Sequence, residues 1–333
     1  MLRKSKNSLP GRLLFAASAF VCLALPGSSA LAQAVGSGDT GVHVLHVQGN
    51  VYVIVGAGAN ITVQVGPEGV LLVDTGRQQM SDQVVAAVRT ISKEPIGFII
   101  NTQFDSDHAG GDVAIGSLGR TIVGSFGSSL PAPGVVSGAK LIITENLMNR
   151  LYRPGGDPKI IPSDGRLTDS YETKQKQLFI NGEAVVLYHD PATVTDGNSL
   201  VFFRRSDVIS AGDVMRTDTY PFIDLQNGGS IQGIIAALNH IIELAVPAYD
   251  EEGGTYVIPG HGRVCDRADV VEYQTMLTII RDRIQDLIKE GKTLEQVKAA
   301  KPTLDYDIRY GRTSGAWTTN SFIEAVYTSL TRK

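Results

Sequence analysis

From Val42 onward the apolar residues come in short β-branched runs, VHVLHV, VYVIV, ITVQV and VLLVD, separated by GN, GAGAN and GPEG. Runs of this kind, punctuated by Gly and Asn, predict strands joined by tight turns. The spacing then changes. Over residues 81–91 the apolar side chains fall at 84, 85, 88 and 91, the pattern of a helix with one buried face. IGFII at 96–100 predicts the next strand. A second strand–helix stretch follows, with TIVGS at 121–125 and ITENLMNRLY at 143–152. Residues 154–175, rich in Gly, Pro, Asp and Ser, predict a long surface loop. Strands resume at QLFI, AVVLYH, SLVFF and VISA. Residues 230–246 predict a helix that puts Ile231, Ile234, Ile235, Leu238 and Ile242 on one face. TYVIP at 255–259 is the last strand, and helices are expected over 269–288, 293–300 and 319–330. Strands then helices, twice over, with no internal repeat and no composition shift, predict one α/β domain: a four-layer αββα sandwich.

The first 32 residues read differently. Arg3, Lys4, Lys6 and Arg12 precede an apolar stretch, LLFAASAFVCLAL, which ends in a Pro-Gly break and Ala30-Leu31-Ala32. That is the layout of a secretory signal peptide, and the apolar run falls short of the roughly 20 residues a bilayer span needs. The expectation is an exported chain, secreted or periplasmic, with no stable membrane insertion after cleavage. Residues 33–333 then form the single domain.

Composition narrows the chemistry. The 333 residues are 43% hydrophobic and 19% charged, which excludes a disordered chain. A net charge of -4, moving to -8 without the leader, offers no electrostatic case for nucleic acid. Of the two cysteines, Cys22 would leave with the leader, so Cys265 would stand alone without a disulfide partner. It reads as a buried thiol, with a soft metal ligand as the other possibility.

Polar residues gather where strands end. IGFII runs into Asn101-Thr102-Gln103-Phe104-Asp105-Ser106-Asp107-His108-Ala109-Gly110-Gly111-Asp112. Ligands bind α/β sheets at the carboxyl ends of their strands, and a cluster of Asp and His there suits a divalent ion. A solvated turn capping a helix would look the same in isolation. Three further strand ends add potential ligands: His189 and Asp196 after AVVLYH, Asp213 after VISAG, and His261 in PGHG.

Together these motifs resemble the metallo-β-lactamase superfamily. The resemblance runs from about Val51 to Arg263 and includes Asn60-ITVQVGPEGVLLV-Asp74-Thr75-Gly76, the DHAGG turn, SAGD and PGHG. The PGHGRV segment with its later Tyr-x-x-Met is most similar to secreted hydrolases of that superfamily. The resemblance implies the αββα sandwich and up to two metal ions, most often zinc. It also implies Asp107, His108 and His261 as ligands of the second ion, with Asp213 as a bridging ligand.

The first-ion motif departs from the family. His-x-His-x-Asp-His is replaced by Gln103-Phe-Asp105-Ser-Asp107-His108, and Val194 falls where the third imidazole belongs. The expected cofactor is therefore one divalent ion, zinc with manganese or iron as alternatives. A weak first site would have to draw on Gln103, Asp105 and His189. His43 and His46, three apart on a strand, face opposite sides and do not share an ion. His240 reads as a packing residue, Asp74 as a loop anchor near the site, and Tyr220 and Asp224 as lining an entrance or forming a structural turn.

Two functions fit these residues. One is an exported metal-dependent hydrolase whose activated water attacks an amide, lactam, lactone or thioester carbonyl of a small-molecule substrate. Asp105 and Asp107 would then handle the proton, and Tyr220 would assist at the oxyanion. The other is a relative that has lost catalysis and acts as a binding protein. Nothing in the sequence fixes the oligomeric state.

Overall fold

The computed structural model describes residues 41–120, 138–152, 168–249 and 253–332. The expected leader and the expected strand at 121–125 lie outside the described residues. Four antiparallel strands open the chain: β1 (His43–Gln48), β2 (Val51–Val55), β3 (Ile61–Gly66) and β4 (Gly69–Val73). Against β4 the sheet continues in parallel through β5 (Ile96–Ile100), β6 (Lys140–Thr144) and β7 (Thr168–Tyr171). Helices α1 (Ser81–Ile91), α2 (Asp112–Ser117) and α3 (Glu145–Tyr152) lie in the three parallel connections. Parallel pairing needs such crossovers, because a tight turn can only reverse the chain.

The second sheet holds β8 (Gln175–Ile180), β9 (Glu183–His189), β10 (Ser199–Phe203), β11 (Val208–Arg216) and β12 (Tyr256–His261), in the order β12-β11-β10-β9-β8. Its β8–β9 hairpin turns on Asn181-Gly182, both at positive φ (55° and 78°), as a two-residue hairpin turn with the right twist requires. Helix α4 (Ile231–Leu244) carries the chain from β11 to the parallel β12, with the Ser230 side chain accepting from the Gly233 amide at 2.9 Å as its N-cap. Helices α5 (Arg267–Lys289), α6 (Leu294–Ala299), α7 (Asp307–Tyr310) and α8 (Thr319–Thr331) complete the chain.

Strand alternation builds the layers. On β4, Leu71 and Val73 meet the second sheet while Val70 and Leu72 turn to the helices. Between the sheets lie Val51, Val53, Phe98 and Ile100 against Leu187, Val201, Phe203 and Ile258. Val84 and Val88 of α1 cover the outer face of the first sheet, with Leu147 of α3. On the second sheet Ile234, Leu238 and Ile241 of α4 pack with Leu277 and Ile280 of α5 and Phe322 of α8. This is the expected αββα sandwich.

Three boundaries differ from the sequence expectation. Ile143 and Thr144 end β6 rather than opening a helix, and of the loop expected over 154–175, whose first part (154–167) lies outside the described residues, the rest contains the edge strand β7. Strand β11 does not stop at Asp213 but runs on to Arg216 through two irregularities of register. Among the described residues no helix is long and apolar enough to cross a membrane.

Candidate metal centre

The loop after β5 is held from three sides. The His108 carbonyl accepts from the Thr75 and Gly76 amides at 2.7 and 3.0 Å, and the Asp107 carbonyl accepts from the Ala59 amide at 3.0 Å. Asn60 ties the same turn to the other sheet, since its amide donates to the Gly260 carbonyl and its side chain to those of Pro259 and Gly262. The Asp107–His108 loop and the end of β12 are thereby clamped through one short turn, although 153 positions separate His108 from His261.

One donor atom each from Asp107, His108 and His261 lies within 4.8 Å of the others. His261 Nε2 is 3.1 Å from Asp107 Oδ2. His108 Nε2 is fully buried and has no hydrogen-bond partner; the nearest carboxylate oxygen, Asp213 Oδ2, is 3.5 Å away. A buried imidazole nitrogen facing two other donors is what a divalent ion would complete. The opposite nitrogens are both spoken for. His108 Nδ1 donates to Asp74 Oδ2 and His261 Nδ1 to Asp213 Oδ1, each at 2.8 Å, since a carboxylate can only accept. Such carboxylate–imidazole pairs fix the tautomer and aim Nε2 at a metal. Asp74 is itself held by the Thr102 amide and hydroxyl at 2.8 and 2.7 Å.

Charge alternates across this cluster. Burial alone would depress the His108 pKa, but Asp213 and Asp74 outweigh it and hold the group well above 6.5. Burial likewise opposes the shift of His261, which its bonds to Asp107 and Asp213 carry upward. Burial would raise Asp213, yet His108, His261 and Arg216 hold it well below 3.8. The bond from His261 lowers Asp107. Asp105 moves the other way, raised by desolvation and by the nearby charges of Asp213 and Asp107, with His108 opposing.

The remaining expected residues have other partners. Gln103 is buried, and its Nε2 donates to Asp105 Oδ2 at 2.9 Å and to Asp213 Oδ2 at 3.2 Å. Its Oε1 accepts from Asn198 Nδ2 at 3.0 Å, so the carbonyl oxygen faces away from the carboxylates. Val194 is fully buried. His189 donates from Nε2 to the Asp196 carbonyl at 2.7 Å and anchors its loop, so that nitrogen is not offered to an ion. Tyr220 does not line an entrance: it is buried, stacks on Phe322 at 4.6 Å, and donates its hydroxyl to Asp307 Oδ1 and the Thr303 carbonyl. Its hydroxyl is therefore unavailable to an oxyanion. Asp224 makes the structural turn, accepting from the Gln226 and Asn227 amides. Cys265 is buried with its thiol donating to the Arg263 carbonyl.

In the sequence Asp74 reads as a loop anchor, and nothing there marks Arg216 as part of the site. The signal for Asp74 was present in the Asp-Thr-Gly turn, where it adopts a left-handed backbone (φ 63°) that places its carboxylate beneath His108. Arg216 donates from Nη1 to Asp213 Oδ2 at 2.9 Å and grips Asp218 through Nε and Nη2, both at 3.1 Å.

No family model matches the chain, and no curated protein matches it in sequence. Solved structures do match it in shape. The DIM-1 metallo-β-lactamase aligns over 72% of this chain and 97% of its own, at 14% identity and a TM-score of 0.52. The chain has the metallo-β-lactamase fold. A metallo-β-lactamase from Pontibacter korlensis agrees, at 15% identity and a TM-score of 0.51 over 71% of this chain and 99% of its own. So does Pisa1, a stereoselective inverting sec-alkylsulfatase from Pseudomonas sp., at 14% identity and a TM-score of 0.61 over 86% of this chain. This chain spans 50% of the length of that sulfatase. Within the shared metallo-β-lactamase fold, the centre described here joins a loop of one sheet to the end of a strand in the other.

Proposed function

We propose that the protein is an exported metal-dependent hydrolase of small molecules that works with one divalent ion. The observation that carries this is His108, whose Nε2 is buried without a hydrogen-bond partner on a residue grouped within 4.8 Å of ligand atoms of Asp107 and His261. The donor set of two imidazoles and one carboxylate suits zinc and is acceptable to manganese or iron. Such an ion supplies Lewis acidity and makes water a usable nucleophile near neutral pH. Asp107, His108 and His261 would hold it, while Asp74 and Asp213 fix the two Nδ1 protons and so leave the Nε2 lone pairs for the ion. Asp105 stands at the exposed rim with Oδ2 fixed by Gln103. Its other oxygen would take the proton from the attacking water as that water adds to the carbonyl of an amide, lactam, lactone or thioester, and would return it to the departing nitrogen, oxygen or sulfur as the scissile bond breaks.

A competing reading is a binding protein without catalysis. Its support is the apolar Val194 and Gln103, closed against Asn198, at two positions where the resemblance expects imidazole ligands. Metal analysis of protein purified without chelator separates the two readings. The hydrolase should carry zinc, manganese or iron near stoichiometry, and ester or lactam hydrolysis should be lost in Asp107→Ala. Absence of metal, with no gain in hydrolysis on adding these ions, rejects it, as does unchanged turnover in the variant.

A further inference from the structure

Asp213 sits between the two imidazoles, and its oxygens differ: Oδ2 has two protein donors, while Oδ1 has one and keeps a lone pair. Oδ1 accepts from His261 Nδ1 at 2.8 Å. Oδ2 accepts from Arg216 Nη1 at 2.9 Å and Gln103 Nε2 at 3.2 Å. A carboxylate oxygen has two lone pairs, so Oδ2 has none left for a cation. Arg216 is not a loose surface group that drifts into place. Its side chain is only 15% exposed, and Asp218 fixes the far edge of the guanidinium by two bonds. A planar fork held in this way is preorganised, and its charge persists at any pH the fold survives.

Proteins with two metal ions about 3.5–4 Å apart need shared anionic ligands between them. Here the carboxylate best placed for sharing already neutralises a fixed cation. We propose that Arg216 is a built-in counter-charge that limits the centre to one ion. It occupies Asp213 Oδ2, the oxygen 3.5 Å from His108 Nε2, and leaves the residue to support His261 through Oδ1. Asp213 then matches Asp74, and each imidazole of the centre has one carboxylate behind it. Asp105 Oδ2 and Asp213 Oδ2, which a second ion would draw on, are committed to Gln103 and, for Asp213, to Arg216 as well. This inference rests on the metal reading above.

Manganese is a useful probe because two neighbouring Mn²⁺ ions give an exchange-coupled paramagnetic resonance spectrum. Equilibrium dialysis of the full chain against Mn²⁺ should load about one equivalent, with an uncoupled six-line signal. Arg216→Met should admit a second, weaker equivalent and develop the coupled signal, while Arg216→Lys, which keeps the charge, should stay at one. Two equivalents in the unsubstituted protein would overturn the proposal and leave the metal reading standing. No binding at all would remove the metal reading itself. Arg216→Met remaining at one equivalent also overturns the proposal. Should that variant fail to fold, a crystal structure of the metal-loaded, unsubstituted chain decides: Oδ2 of Asp213 bonded to the ion refutes it, and an intact Arg216–Asp213 pair supports it.

Discussion

His108 is the residue on which the centre turns, because the same two carboxylates that aim it also favour its proton. In the metal-free chain its raised pKa means that the folded state binds that proton more tightly than the unfolded state does. The resulting stability is fully present below about pH 6.5 and is lost as pH rises through the folded pKa of His108. Asp213, depressed in the fold, contributes stability present above about pH 3.8 and lost as pH falls through its lower folded value. A metal ion competes for the lone pair that the proton occupies, so loading removes the alkaline loss. The melting temperature of chelator-stripped protein should therefore fall as pH rises from neutral to alkaline, and that of zinc-saturated protein should not. Asp74→Asn is the control, since Asn tolerates the left-handed backbone at this position but carries no charge. It should flatten the alkaline slope of the stripped protein. Equal slopes for stripped and loaded protein would contradict the assignment of His108 as the group in competition.

The elements around the centre are placed by close backbone approach as much as by side-chain bonds. Where β11 and β12 run parallel, Gly260 passes so near Asp213 that an added Cβ would stand 2.1 Å from Oδ1. That atom accepts from His261, so Gly260→Ala must push Asp213 away from the imidazole or spread the two strands. The expected result is a loss of about 1–3 kcal/mol in stability together with weaker metal binding. Thermal melts and a chelator-competition titration measure both, and unchanged zinc affinity would show that Asp213 does not support His261. The strands flanking this contact were legible from sequence because their apolar runs are strong and end in Gly. The Asp213–Arg216 pair was not. Positions three apart on a regular strand face opposite sides. Only the register irregularities of β11, with Gly212 at φ 52°, turn the guanidinium back to the carboxylate. The edge strand β7 was hidden for a simpler reason: its sequence, TDSY, has the polarity of a loop. His189 was misleading because its spacing from Asp196 fits a ligand as well as it fits the loop anchor it forms.

At the scale of the molecule, the candidate ligands divide between the two sheets. Asp107 and His108 follow β5 of the first sheet, and His261 ends β12 of the second. The apolar core between the sheets already holds them together, so a bound ion would be a second, polar cross-link at one end of the same interface. An ion that binds only the folded chain adds RT ln(1 + [L]/Kd), about 2.7 kcal/mol at a hundredfold excess over Kd. For a chain of this size that corresponds to a rise of roughly 4–5 °C in melting temperature. The division between sheets sharpens the expectation. If the ion bridges them, Asp107→Ala on one side and His261→Ala on the other should each abolish most of the zinc-induced rise, and the double variant should lose little more. Non-additivity is the signature of residues that act as one unit. An ion bound within the Asp107–His108 loop alone would leave His261→Ala with most of its rise. Scanning calorimetry of the four proteins with and without zinc distinguishes the two cases, and a rise preserved in His261→Ala would remove the cross-sheet centre while leaving the metallo-β-lactamase fold intact.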